Sequence, residues 1–322
     1  MGWNTRAATI ELTIFAIFCA GCAGSGRESQ GLSRSVRPTT AISATRWKES
    51  LRKGSATPAP TATRTSSGAP AKAIGHKAKE SAEQLLTNAV AADVAQDGDH
   101  AAIAVDDLSN GQFASYNGND QEFDTASIVK VDILATLLYQ SQQQSSQMTP
   151  YEQSLATTMI ENSNNDSASA LYDEDGESAG IGAANKSFGL TETTVGTDGY
   201  WGLTTTSTDD QIQLLRQVFT SQTVLTPASQ DYIRDLMGQV ESDQQWGVPS
   251  AADSGTAFYV KNGWLPNPTL WEINSIGQVT LDGQRMLIAA LSSDNETEDG
   301  GISLIEGIIG KAATAVAAYG KS

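Results

Sequence analysis

Strand pairs near both ends of the chain constrain its fold more than any other feature. Two tight hairpins are predicted, with turns at Asn110-Gly111 and Asp282-Gly283. These dipeptides suit two-residue hairpin loops, because such loops need residues that tolerate positive φ. The predicted strands cover residues 101–108, 112–116, 256–262, 270–280 and 285–292. One antiparallel sheet would therefore be built from two segments that lie far apart in sequence.

The segment between the strand groups has the apolar spacing of helices. One helix is predicted before the first strand, at about 81–95. Those between the strand groups are predicted at about 127–144, 150–161, 166–174, 179–187, 208–220 and 227–240. A closing helix has apolar residues spaced 3, 4, 3, 4, at Ile302, Ile305, Ile309, Ala312 and Val316. We therefore predict an α+β fold, in which an antiparallel five-stranded sheet from both termini is flanked by helices and carries an inserted all-helical lobe. A cleft between sheet and lobe would be the natural place for a site.

Residues 1–22 have the pattern of an export signal, in which a short positive region precedes a short apolar run and small residues. The run is too short to span a bilayer. The tripeptide ending at Cys22 resembles a bacterial lipoprotein cleavage site, so Cys22 would carry a lipid at the outer face of the cytoplasmic membrane. Glu11 interrupts the apolar run and Cys19 stands where leucine is usual. Ordinary secretion is therefore the alternative.

Residues 23–80 are rich in Ser, Thr, Ala, Pro and Arg and have no apolar periodicity, which predicts a disordered linker. Residues 1–80 hold 12 Lys and Arg against 4 Asp and Glu, whereas residues 81–322 hold 8 against 33. The basic segment could lie against an anionic membrane, or simply act as a solvated tether. The acidic region 81–322 is predicted to be one domain, and its charge argues against nucleic acid as a partner.

Histidine and cysteine are too scarce for several kinds of site. The two histidines, His76 and His100, lie in the linker and just before the first strand, and both cysteines precede residue 23. A Ser-His-Asp triad, a histidine-ligated zinc site and thiol chemistry in the domain are therefore not expected. We expect no cofactor and no metal, and we expect a monomer.

Ser127 and Lys130 are the first candidate catalytic pair. They are one helical turn apart at the start of a predicted helix, so the amine can reach the hydroxyl. Lysine can accept the proton of a serine nucleophile if burial or a neighbouring cation keeps it partly neutral. The spacing alone is weak evidence, since Ser50 and Lys53 share it within the linker.

Two further motifs strengthen that pair. Ser163-Asn164-Asn165 lies between two predicted helices, where Ser163 could relay a proton and Asn165 could hold a substrate amide, although such residues also cap helices and form turns. Lys261-Asn262-Gly263 ends a predicted strand. Lys261 could bind a carboxylate and lower the pKa of Lys130, and the following N–H, of Trp264, could face an oxyanion. The alternative is a plain Asn-Gly turn.

The order Ser-x-x-Lys, Ser-x-Asn, Lys-x-Gly resembles the serine β-lactamase and penicillin-binding protein superfamily, most closely the class A β-lactamase-like serine hydrolases. The resemblance covers about residues 81–322 and implies an acylated serine at Ser127. It assigns proton transfer to Lys130, Ser163 and Lys261. It also assigns substrate binding to Asn165, Asn262, Gly263 and Trp264, with the N–H groups of Ser127 and Trp264 forming the oxyanion hole.

The chain departs from that family at points that affect turnover. Asn164 replaces the usual aspartate, Asn262 replaces a threonine or serine, and the sequence that carries the deacylating glutamate is missing. Only Glu192 and Asp198 lie nearby, and neither fits that motif. We therefore expect a persistent acyl-enzyme, and three functions remain open. They are a β-lactamase-like hydrolase, a D-alanyl-D-alanine carboxypeptidase-type enzyme, and a catalytically weak module that binds β-lactams or cell-wall peptides.

Overall fold

The structure is a computed structural model, and it describes residues 80–98, 100–119, 121–267 and 269–321. A five-stranded antiparallel sheet has the order β2-β1-β7-β6-β5. Its strands are β1 (Ala101–Asp107), β2 (Gln112–Asn117), β5 (Tyr259–Asn267), β6 (Leu270–Leu281) and β7 (Gln284–Asn295). Two short strands, β3 (Phe123–Asp124) and β4 (Thr205–Thr206), form a separate pair.

The sheet joins the two ends of the domain through the pairing of β1 with β7. Ala101 lies opposite Ser292 and Asp107 opposite Met286. Both strands are apolar over most of their length because helices cover both faces of the sheet. The predicted sheet built from both termini is therefore confirmed.

Eight α-helices are present in the described ranges. They are α1 (Ala82–Gln96), α2 (Val129–Gln143), α3 (Pro150–Glu161), α4 (Asn165–Glu174), α5 (Glu177–Phe188), α6 (Thr208–Phe219), α7 (Pro227–Met237) and α8 (Glu298–Gly320). Helices α1 and α8 pack on each other and on the sheet, whereas α2 to α5 and α7 form the inserted lobe and α6 packs against β1, β6 and β7.

Helix α8 is long and apolar enough to cross a membrane by length and composition, which no other helix of the described residues is. It nevertheless packs against β1, β6 and β7. Its side chains Ile305, Ile308 and Ile309 are completely buried. We therefore assign α8 to the core of the domain.

The observed boundaries differ from the predicted ones where irregular backbone intervenes. Strand β5 begins at Tyr259 and runs to Asn267, beyond the predicted end. Ser127 lies in a short 3₁₀ turn, Ala126–Ile128, and α2 proper begins at Val129. The signal sequence, Cys22 and all but the last residue of the linker lie outside the described residues.

Candidate active site

The turn that carries Ser127 is held between the lobe and the sheet. Its backbone is fixed on one side by the Thr125 N–H, which donates to the Thr204 carbonyl at 2.8 Å. On the other side, Asn274 of β6 donates to the carbonyls of Asp124 and Thr125 at 2.9 and 3.2 Å. Ala126 adopts φ 47°, a strained value for a residue with a Cβ. These contacts fix a half-buried serine at the junction of the two parts of the domain.

Lys130 places its amine among four oxygens. Its Nζ lies 2.9 Å from Ser127 Oγ, 2.8 Å from Asn165 Oδ1, and 2.6 and 3.0 Å from the carbonyl and hydroxyl oxygens of Ser163. The carbonyl of Ser163 and the amide oxygen of Asn165 can only accept hydrogen bonds. A neutral amine can donate its two protons to these two oxygens, and its lone pair is then available to the Ser127 hydroxyl.

Ser163 reaches Lys130 from the loop between α3 and α4, and Asn165 does so as the first residue of α4. Ser163 adopts φ 54°, which turns both its carbonyl and its hydroxyl towards the amine. Asn164 caps α4, because its side chain accepts from the Ser167 N–H at 2.8 Å. The asparagine in the middle of this motif therefore has a local structural role.

Lys261 approaches the same hydroxyl from the sheet. Its Nζ donates to Ser163 Oγ at 3.1 Å and to the Asn262 carbonyl at 3.0 Å. Ser163 Oγ thus lies between the two amines. The structure brings Ser127, Lys130, Ser163, Asn165 and Lys261 together from three separate parts of the sequence.

Gly263 lets β5 approach the nucleophile turn. A Cβ at this position would lie 2.6 Å from the Thr125 carbonyl oxygen and 2.8 Å from the Ser127 nitrogen. Heavy atoms cannot approach a side chain so closely, so the strand requires glycine here. The backbone of β5 therefore runs beside the nitrogen of Ser127, and Trp264 is the next residue along it.

The side chain of Asn262 does not join this cluster. It is completely buried, and its Nδ2 donates to the carbonyls of Gln244 and Trp246 at 2.8 and 3.0 Å. Neighbouring residues of a strand point to opposite faces, so Asn262 lies on the other side of β5 from Lys261 and Gly263. Its amide fixes the loop before β5.

Burial lowers the pKa values of both lysines. The pKa of Lys130 lies well below its usual value because the amine is desolvated, and the charge of Lys261 adds to this effect. Burial likewise lowers the pKa of Lys261 to about 7. Both side chains are 0% exposed, so each amine can exist uncharged near neutral pH.

Trp201 is a neighbour of Lys130 that the sequence motifs did not reveal. The centre of its ring lies 5.0 Å from Lys130 Nζ. Such a contact favours the ammonium by about 0.5–2 kcal/mol, but burial outweighs it, because the pKa of Lys130 is lowered. Glu192 and Asp198, the two carboxylates near the place of the missing deacylating glutamate, are both exposed.

Comparison with known proteins identifies the family. The profile of the beta-lactamase enzyme family matches residues 84–153 and 146–318, which is most of the chain. The chain belongs to the beta-lactamase enzyme family. Its family and fold are those of a beta-lactamase-like serine hydrolase.

Curated relatives and solved structures agree with this family. The proteins named "Putative lipoprotein LppW" of Mycobacterium tuberculosis and Mycobacterium bovis are 30% identical over 170 residues, or 51% of this chain. The match covers 54% of their sequence, so this chain spans about half the length of the curated relatives it matches.

Solved structures of the same fold include a mutant of PBP-A as an acyl-enzyme complex with penicillin G. It has a TM-score of 0.61 and 22% identity over 73% of this chain and 98% of that one. A beta-lactamase from Chitinophaga pinensis gives a TM-score of 0.61 and 19% identity over 71% and 97% of the two chains. The TLA-3 extended-spectrum beta-lactamase gives a TM-score of 0.61 and 15% identity over 73% of this chain and 98% of that one. These likenesses confirm the predicted beta-lactamase/transpeptidase-like fold.

Proposed function

We propose that this chain is a serine acyl-transfer enzyme that opens β-lactams or related amides through an acyl-Ser127 intermediate. The observation that supports this most directly is the 2.9 Å contact between Ser127 Oγ and the Nζ of Lys130. A buried amine with a lowered pKa can accept a proton from serine near neutral pH, whereas an exposed lysine cannot.

In the proposed acylation step, Lys130 Nζ accepts the proton of Ser127 as Oγ forms a bond to the substrate carbonyl carbon. The carbon–nitrogen bond then breaks, and the leaving nitrogen receives a proton from Ser163, which takes a proton from Lys130 in its place. Ser163 is positioned for this role because its hydroxyl contacts both Lys130 and Lys261. Lys261 completes the path by donating to Ser163 and holding its orientation.

The oxyanion hole is proposed to consist of the backbone N–H groups of Ser127 and Trp264. The close approach of Gly263 to the Ser127 nitrogen sets these two backbones side by side. Donors fixed in this way stabilise the negative charge of a tetrahedral intermediate, and the loss of one donor typically costs about 3 kcal/mol of barrier.

Substrate contacts are proposed for Asn165 and for the cleft edge of β5 from Gly263 onward. Asn165 is exposed and its amide oxygen faces Lys130, whereas its Nδ2 has no hydrogen-bond partner among the described residues and can meet a substrate carbonyl. Asn262 is proposed to act indirectly, by holding the loop at Gln244 and Trp246. Lys261 is fully buried, so we propose that it acts mainly on Ser163.

Two substrate classes fit this site. They are β-lactams, and cell-wall peptides of the kind cleaved by D-alanyl-D-alanine carboxypeptidases. The exposed positions of Glu192 and Asp198 support slow hydrolysis of the acyl-enzyme, because the hydrogen bonds of Lys130 within the described residues go to Ser127, Ser163 and Asn165 and to neither carboxylate.

The test is incubation with a chromogenic cephalosporin, followed by intact-mass measurement. Turnover indicates a β-lactamase, and a stable adduct without turnover favours the carboxypeptidase-type enzyme, which should release D-alanine from a cell-wall peptide. Ser127→Ala should abolish the adduct, whereas Ser154→Ala, at an exposed serine of α3, should leave it unchanged. An undiminished adduct in Ser127→Ala would exclude this nucleophile.

We also propose that the enzyme is exported and anchored by a lipid on Cys22, with residues 23–80 as a tether. The cleavage-site pattern supports this proposal, as does the name of the mycobacterial relatives. Membrane fractionation of cells that express the full chain tests it. Cys22→Ala should release the protein from the membrane fraction and Cys19→Ala should not. Equal membrane binding of all three proteins would contradict it.

A further inference from the structure

We propose that the indole of Trp201 keeps water away from the Lys130 side of the site, and that it thereby sets the lifetime of the acyl-enzyme. This inference depends on the proposed acyl-Ser127 intermediate. It assigns a positioning role to a residue outside the three motifs. The absence of a suitable carboxylate would slow hydrolysis by itself, but Trp201 would do so by occupying the space that the water needs.

The ring is held firmly at this position. Trp201 is 3% exposed, and the centre of its ring lies 5.0 Å from Lys130 Nζ. Its indole N–H donates to Ser169 Oγ of α4 at 3.1 Å. The polar edge of the ring therefore faces α4, and an apolar face is left towards the amine. Aromatic carbon offers no hydrogen bond through which a water could be held beside Lys130.

The backbone around Trp201 is built to hold the ring there. Residues 195–204 fold back on themselves, since Thr204 Oγ1 donates to the Trp201 carbonyl at 2.7 Å and accepts from the Gly196 N–H at 3.1 Å. A Cβ on Gly196 would overlap the Tyr200 carbonyl, so this fold needs glycine. Tyr172 of α4 donates to the Gly196 carbonyl at 2.8 Å.

The same segment is tied directly to the nucleophile turn. The Thr204 carbonyl accepts from the Thr125 N–H at 2.8 Å, two residues before Ser127. A movement of Trp201 away from Lys130 would therefore also strain the turn that carries the nucleophile. The ring is a fixed wall of the site.

Hydrolysis of the acyl-enzyme needs a water where this wall lies. The water oxygen must form a bond to the acyl carbon while a base takes one of its protons. The carbon–Oγ bond then breaks, and Ser127 Oγ recovers a proton from Lys130. Lys130 is the available base, because the amine is neutral once that proton has passed through Ser163 to the leaving nitrogen. A water beside Lys130 would thus be activated, and the indole excludes it from the Trp201 side.

Acylation does not need this water, so Trp201 should affect the two steps differently. In acylation the proton of Ser127 moves directly to Lys130 over 2.9 Å. A residue with a merely structural role would slow acylation and deacylation together when it is replaced. A residue that excludes water would, when replaced, speed deacylation while acylation stays about the same.

The experiment compares wild type, Trp201→Ala and Trp201→Phe after labelling with penicillin G, following formation and loss of the adduct by intact mass. We expect the adduct of Trp201→Ala to decay at least about tenfold faster than that of wild type, the scale of a general-base contribution that becomes accessible to water. Its rate of formation should change less than about threefold. Trp201→Phe keeps an apolar ring and should retain the long lifetime.

Trp271→Ala is the matched control, because it removes a partly buried indole from the outer end of β6. It should leave the adduct lifetime unchanged. An unchanged lifetime in Trp201→Ala, or an equal acceleration in Trp271→Ala, would overturn the proposal. If Trp201→Ala does not fold, as judged by circular dichroism, Trp201→Gln replaces it with the same expected result.

A readout without substrate separates this proposal from the proposed function. The protonation of Lys130 is followed by NMR in methylated protein, with Lys130→Arg used to assign the signal. The charged group facing Lys130 is Lys261 of β5, and it is unchanged in both proteins. If the wild type forms no adduct, the proposed function fails, and the titration then tests by itself whether Trp201 keeps water away from Lys130. A higher midpoint in Trp201→Ala than in wild type supports water exclusion, and an equal or lower midpoint overturns it.

Discussion

At the scale of single residues, the proposed chemistry depends on two buried amines that contact the same hydroxyl. Lys130 and Lys261 both contact the hydroxyl of Ser163, and among the described residues neither has a carboxylate partner within hydrogen-bonding distance. Two buried cations at one hydroxyl would repel each other, and burial lowers the pKa of both lysines, which favours the neutral form of each amine. That neutrality is what makes a lysine useful as a base.

Replacing Lys130 by methionine should therefore remove acylation but keep the fold. Methionine fills a similar volume without the desolvated amine, so we expect acylation by penicillin to slow about 10²- to 10⁴-fold, with the free energy of unfolding unchanged or higher. Stopped-flow labelling and urea unfolding measure the two effects. Lys186→Met, at an exposed lysine of α5, should change neither, and acylation at the wild-type rate in Lys130→Met would remove lysine as the base.

At the scale of elements, the close packing of α8 on the sheet can be tested at two of its glycines. A Cβ on Gly301 would lie 2.5 Å from Ile273 and 2.7 Å from Asn295, whereas a Cβ on Gly310 would meet nothing within 4 Å. Asn295 cannot move easily, because its amide donates to the Trp271 carbonyl at 2.8 Å.

We expect Gly301→Ala to lower the free energy of unfolding by about 1–3 kcal/mol through overpacking. Gly310→Ala should raise it by about 0.5–1 kcal/mol, since alanine favours the helix. Urea denaturation of the purified domain measures both, and the two variants serve as controls for each other. Equal effects of the two substitutions would show that α8 does not pack against β6 and β7 as described.

The sequence predicted the regular elements well and the irregular segments poorly. Apolar periodicity located the eight α-helices of the described ranges, and the Asn110-Gly111 and Asp282-Gly283 turns located two hairpins. Periodicity could not place Trp201, because the irregular segment that carries it depends on hydrogen bonds that Tyr172 donates to the Gly196 carbonyl and Thr204 donates to the Trp201 carbonyl. The sequence motif predicts that Asn262 binds substrate, whereas its side chain donates to backbone carbonyls of the loop before β5. Periodicity does not reveal such partners, because they depend on how the loop folds.

At the scale of the whole molecule, buried carboxyls should make stability depend on pH. Burial raises the pKa of Asp132 to about 7, and the neighbouring Asp210 adds to the shift, although a hydrogen bond from Asn185 opposes it. Burial also raises the pKa of Asp175 well above its usual value, with Asp132 contributing. The folded protein therefore binds more protons than the unfolded chain, and this stabilisation is lost as pH rises from about 4 to about 7.

Asp132→Asn should remove much of that dependence. The asparagine can still accept from Asn185, so we expect the variant to gain up to about 4 kcal/mol over wild type at pH 8, and much less at pH 4. Urea unfolding at the two pH values measures the difference. Asp173→Asn, at an exposed position of α4, should follow wild type, and an Asp132→Asn protein with the wild-type pH slope would contradict the assignment.

The pairing of β1 with β7 has a consequence for how the protein is made. A chain synthesised from its N-terminus presents Ser127 long before Lys261. The edge of β1 that faces away from β2 has no partner until β7, which begins at Gln284, has been made. A partial product that lacks β7 cannot join the β1–β2 hairpin to the β5–β6 pair, so the two parts of the sheet stay separate. We expect the sheet to close only after β7 has been made, and pairing between such distant segments is slow.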